Sequence, residues 1–159
     1  QLNQTTWPVD MPPADRLRHF IRNMLQHFLD EEQPSWKTRL MLRELADPTE
    51  ACAKLVENYI RPMANVLHEI GRDLVADGVS EEQRWLIGFS IVGQCLFYKV
   101  HRPVALLLLG ADRQGLLNLD VLAEHISQFS LAALGQAGPL TSDGAALSGH
   151  LHRLCALRN

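Results

Sequence analysis

Nothing in this sequence concentrates positive charge. Its 15 Lys and Arg are outnumbered by 18 Asp and Glu, the formal net charge is -3, the isoelectric point is about 6.2, and no Lys/Arg run appears. That composition excludes a global field drawing the chain to nucleic acid or anionic lipid. Cysteine is scarce: Cys52, Cys95 and Cys155 are odd in number and far apart. They form no C-x-x-C pair and fit buried free thiols of a reducing cytosol. The start, Gln1-Leu-Asn-Gln-Thr-Thr, lacks the basic residues and apolar stretch of a secretory signal. Long apolar runs are missing too. Trp85 to Tyr98 falls short of the roughly 20 residues a membrane span needs, and Lys99, His101 and Arg102 interrupt it. No membrane association and a cytoplasmic location are expected.

Catalytic constellations are equally absent. The sequence holds no phosphate-binding loop, no dinucleotide fingerprint, no serine nucleophile elbow, no zinc-protease pair and no Glu-x-x-His pattern of helical diiron sites. His150 and His152 have a spacing poorly suited to one helical face. His68-Glu69 and Glu124-His125 are adjacent pairs that point different ways on a helix and read as solvated or packing groups. The expectation is no enzyme, no cofactor and no metal.

Helical periodicity, by contrast, is plain. A chain of 159 residues, 47% of them hydrophobic, fits one domain with a real core. Residues 1–11 read as a lead-in, 12–137 as the domain, and 138–159 as a flexible tail, with a short helix carrying Leu147, Leu151 and Leu154. The first helix is predicted from Pro12 to about Glu31, with the stripe Leu17, Phe20, Ile21, Met24, Leu25 and Phe28. Ser35 opens a second helix carrying Trp36, Leu40 and Leu45. Asp47-Pro48-Thr49-Glu50 spells the start of a third helix, with Asp47 as cap, and Pro62 should kink that helix. Its stripe is Leu55, Val56, Tyr59, Ile60, Met63, Leu67 and Ile70, ending at Asp77-Gly78. Ser80 and Gln83 form a capping box for a fourth helix, which reaches Leu109 with a bend at Pro103. Gly110 to Gly115 reads as a turn. Asn118 caps a fifth helix with Leu122, Ile126, Phe129 and Ala133 on one face, stopped by Gly135. No strand alternation is visible, so the fold class is all-α.

The fourth helix carries apolar residues on more than one face, with Gly88, Ser90, Gly93 and Cys95 set among them. A helix apolar all round must be covered all round. The domain core covers one side and a second copy of the chain the other. Gly93 permits close approach, and Phe97, Tyr98, Ile126 and Phe129 are the expected anchors of a homodimer, with Arg102 and Ala133 beside them. Gln94, Tyr98, His101 and Arg102 need polar partners, which are core groups, a mate chain or a ligand. Pro62 should open the third helix locally, and Trp36, Met41, Met63 and Phe89 are bulky, adaptable side chains on helices that must face one another; they either pack as a solid core or outline a mainly apolar cavity between helices one to four. Arg39, Tyr59 and Gln94 are its candidate polar contacts.

Four separated segments carry a resemblance. They are Ser35-Trp-Lys-Thr-Arg-Leu-Met-Leu-Arg-Glu-Leu-Ala-Asp-Pro-Thr49, Ile60-Arg-Pro62, Ser90-Ile-Val-Gly-Gln-Cys-Leu-Phe-Tyr98 and Glu124-His-Ile-Ser-Gln-Phe-Ser-Leu131. In this order the chain resembles the C-terminal domain of TetR-family transcription regulators, CecR-like branch. The resemblance implies an antiparallel helical domain that binds a small effector inside each subunit and dimerises through a four-helix interface. The fourth and fifth helices here match the two that each subunit contributes. The helix-turn-helix domain of that family has no counterpart before Pro12. DNA binding is therefore expected of a longer parent protein only; the chain is expected to be cut from such a regulator, the alternative being a stand-alone relic. The competing expectation is a stand-alone helical interaction module or a small-ligand carrier.

Overall fold

All six positions of the apolar stripe expected in the first helix reach the interior of a computed structural model of the chain, which describes residues 7–8, 10–30 and 35–136. Helix α1 (Pro13–Leu29) starts where proline's missing N–H leaves no bond unmade. Its stripe Leu17, Phe20, Ile21, Met24, Leu25 and Phe28 is buried throughout, each side chain contributing about 1.5–3 kcal/mol. The chain continues through α2 (Ser35–Ala46), α3 (Glu50–Leu55), a π-helical turn (Val56–Ile60), α4 (Arg61–Leu74), α5 (Glu81–Val100), α6 (Arg102–Leu109), a 3-10 helix (Ala111–Leu117) and α7 (Leu119–Ala133). The fold is all-α, with no strand among the described residues.

Helix α1 is the centre of the packing. It lies against α7, α5 and α4, and the core joins its stripe to Leu67, Ile70 and Leu74 of α4, Ile91 and Cys95 of α5, and Leu122, Ile126 and Leu131 of α7. Ion pairs mark two of these seams: Arg16–Asp73 at 2.8 Å joins α1 to α4, and Arg22–Asp120 at 2.6 Å joins α1 to α7. The Gln136 Nε2 amide donates to the Leu74 carbonyl at 2.9 Å and so ties the end of α7 to the end of α4. Helix α2 stands apart. Its main neighbour is α3, and Trp36, Leu40 and Leu45 are exposed.

The capping box of α5 forms as spelled: the Ser80 hydroxyl accepts from the Gln83 N–H, and the Gln83 side chain accepts from the Ser80 N–H. The Asn118 side chain caps α7 by accepting from the Val121 N–H at 2.9 Å. Gly78 turns the chain at φ +93°, a region that glycine enters without penalty.

Three readings are corrected. The cap of α3 is Thr49 rather than Asp47. The Asp47 N–H still bonds the Arg43 carbonyl and closes α2. The Glu44 carboxylate accepts from the Thr49 hydroxyl at 2.7 Å, which fixes Thr49 to receive the Ala51 N–H. The expected fourth helix is two, broken at His101 rather than bent at Pro103, because proline belongs in a first turn and Pro103 stands in that of α6. The segment after Gly110 is a 3-10 helix rather than a plain turn. The Pro62 interruption occurs as a π turn: the Arg61 N–H bonds the Val56 carbonyl, five residues back. Widening the helix there relieves the clash of a proline ring with the carbonyl four residues earlier. Cys155, the His150/His152 pair and the tail helix lie outside the described residues.

Cys95 is sealed in the core, and burial pushes its thiol up to about 12. Thiolate is the reactive form, so Cys95 is inert at pH 8 while the half-buried Cys52 is not so protected. Alkylation of the native chain and subsequent peptide mapping are expected to leave Cys95 unlabelled until denaturant is added. Rapid native labelling would contradict this.

Candidate functional site

A cavity of about 80 Å³ lies between α4 and α5, floored by Phe20 of α1. One wall is Ile60, Met63, Ala64, Leu67 and His68, a run with helical i, i+3, i+4, i+7, i+8 spacing. The opposite wall is Arg84, Trp85, Gly88, Phe89 and Val92, likewise one helical face. Gly88 keeps that wall low: a Cβ there would meet only Leu67, its Cδ2 at 3.7 Å. The His68 ring stacks on Trp85 with centroids 5.0 Å apart, and Trp85 leans on Phe89 at 5.9 Å. Phe89 is largely exposed and therefore stands at the rim.

The polar equipment is small. Arg84 Nη1 donates to the Val79 carbonyl at 2.7 Å, while Arg84 Nε is buried without a hydrogen-bond partner. His68 Nδ1 is also buried and unpartnered. A larger depression of about 150 Å³, between α1 and α7, is open to solvent and lined by Arg18, His19, Arg22, Asp120 and Glu124 among others. The Arg22–Asp120 pair already answers part of its charge. The cavity between α4 and α5, less open and almost wholly apolar, is the better candidate for a ligand site.

Of the residues expected around a ligand, Met63 and Phe89 line this cavity. Trp36 and Arg39 are exposed on α2, away from it, and Tyr59, at 68% exposure, points out of the π turn. Gln94 is half-buried on α5, its amide donating to the Ser90 carbonyl at 3.4 Å. The residues missed are His68, Arg84 and Trp85. The α4 spacing held the signal, since His68 completes the stripe that begins at Ile60.

A second feature is an apolar face on the outside. Leu86, Phe89, Phe97, Val100, Val104, Leu107 and Leu108 are exposed, and together with Gly93 they recur at steps of three and four along α5 and on through α6. Leu107 is 84% exposed. Phe129 and Ala133 are exposed on α7, which packs beside α5. Tyr98 is half-buried and meets Phe97 edge-on at 5.3 Å. Arg102 spends one donor inside the chain, on the Leu117 carbonyl at 2.8 Å. Ile126 is 0% exposed, so its side chain packs within its own chain rather than against a mate. Exposed apolar side chains at helical spacing along α5 make this face a candidate interaction surface.

Among the described residues no group of three or more His, Cys, Asp or Glu is placed to hold a metal, and no helix is long and apolar enough to cross a membrane. Residues 13–134 match the family described as the C-terminal domain of the HTH-type transcriptional dual regulator CecR, and the chain belongs to that family of TetR-type regulator domains. No curated protein and no solved structure matches the chain significantly.

Proposed function

We propose that these residues sense a small, mainly apolar effector and hold a TetR-type repressor as a homodimer in the cytoplasm, with DNA binding carried by a helix-turn-helix domain outside them. The observation that supports this most is the sharing of α5 between two features. One side of the helix walls the cavity through Trp85, Gly88 and Val92, and another presents Phe97 and Val100 to solvent. A molecule seated in the cavity presses on the same rod that a mate chain would grip, and a rigid helix is a direct link between two such sites. The dimer face proposed is Gly93, Phe97, Tyr98, Phe129 and Ala133, extended by Leu107 and Leu108, with Arg102 at its border. The effector site proposed is the cavity with Met63 and Phe89. TetR-type regulatory domains are typically non-enzymatic, and no catalytic role is part of this reading.

Met63→Trp tests the cavity. In an open site the indole is expected to fill space, leave the melting temperature within about 4 °C of the parent, and block ligand uptake. In a solid core it would overpack and cost about 1–3 kcal/mol. Thermal melting alongside titration with an apolar probe distinguishes the two, and a steep fall in stability would reject the site.

A further inference from the structure

The cavity is almost wholly apolar, yet it is lined by one permanent cation. Arg84 forms no ion pair among the described residues. Its nearest acid in sequence, Glu82, is occupied elsewhere: its own backbone N–H and the Ser80 hydroxyl hold that carboxyl below the usual carboxylate range, and the charge of Arg84 contributes least. One guanidinium nitrogen serves the Val79 carbonyl, and Nε has no acceptor. On the facing helix, His68 Nδ1 is likewise buried without a partner, and the flat side of its ring is taken by Trp85. A buried donor left unmatched is costly, and a guanidinium beside apolar walls favours an anion over a neutral group. The remaining walls, Phe20, Met63, Leu67, Trp85 and Phe89, suit a flat hydrocarbon body.

We infer that the effector is an anionic amphiphile: a small aromatic or aliphatic body seated between α4 and α5, with a carboxylate or similar group held by Arg84 and His68. This rests on the cavity being the effector site. Arg84 Nε and His68 Nδ1 are both closed off in the unliganded chain, so the anion would meet the Arg84 guanidinium at the cavity wall and draw these side chains round to donate to it.

The test titrates the unmutated chain at pH 7.5 with 3-phenylpropionate and, separately, its neutral counterpart 3-phenylpropionamide. Backbone amide NMR shifts of α4 and α5 residues give the dissociation constants. The carboxylate is expected to bind roughly tenfold tighter than the amide, the usual margin of a charge-assisted hydrogen bond over a neutral one. Arg84→Gln should bring the two probes to similar affinity, and Arg84→Lys should keep part of the preference. Should either variant fail to fold, the comparison on the unmutated chain still decides. Equal affinity of both probes for the unmutated chain would overturn the anionic effector and leave the cavity standing as a ligand site. Shifts confined to residues away from the cavity, or none with either probe, would overturn both.

Discussion

Replacing Phe129 with glutamate is expected to turn a dimer of this chain into a folded monomer. Phe129 is 48% exposed on α7, and its nearest aromatic neighbour is His125 of the same helix, 6.4 Å away. The chain's own core therefore has little need of the ring. In an aromatic-rich interface such a side chain is a natural anchor, and a carboxylate in its place would be desolvated without a partner. A loss of about 2 kcal/mol or more, some 30-fold in dissociation constant, is the expected size. Sedimentation velocity over a concentration series reads the association, and circular dichroism at the same concentrations confirms that the helices persist. An unchanged dimer constant would remove this face from the interface.

Ile126→Ala should act in the opposite manner. It lies one turn before Ser130 on the same helix, but its side chain is wholly enclosed in the core of its own chain. Truncation leaves a cavity and is expected to cost about 2–5 kcal/mol, a large share of the 5–15 kcal/mol typical of a domain. Chemical denaturation measures it directly. Any weakening of self-association should track the unfolded fraction rather than precede it. A loss below about 1 kcal/mol would mean that the α1–α7 seam collapses readily around the gap.

These two neighbours on α7 show how far a sequence can be read. Periodicity placed Leu122, Ile126, Phe129 and Ala133 on one face, and the observed inner face is instead Leu122, Ala123, Ile126, Ser127, Ser130 and Leu131. Small and hydroxyl residues sit inward because α1 comes close, and the Ser127 hydroxyl is satisfied by the Ala123 carbonyl at 2.6 Å. Hydrophobicity alone does not reveal such a seam. Local grammar fared better. The α1 stripe, the Ser80 box and the Asn118 cap depend on residues within a turn or two of one another, and each formed as spelled. The cavity was legible in half of its outline. Met63 and Phe89 were found because their size invited it. His68 was passed over because a histidine beside a glutamate reads as a solvated or packing group, and Arg84 belongs to no motif that would single it out. Only the meeting of α4 with α5 brings them to one enclosed space.

The wide turn at Val56–Ile60 has the effect of a phase slip between two gratings. An α-helix advances about 100° per residue, so one residue stored in a π turn rotates the helix before it by about that angle relative to the helix after it. Below the slip, Met63, Leu67 and Ile70 run in step with the core; at the slip itself, Tyr59 falls out of step and faces water. Helix α3, and α2 behind it, inherit the offset, so their heading is set by where the spare residue sits more than by contact with the core. Shifting that residue along the helix would re-aim both helices at once, like advancing one tooth on a gear, with Ile60 carrying the motion into the cavity wall.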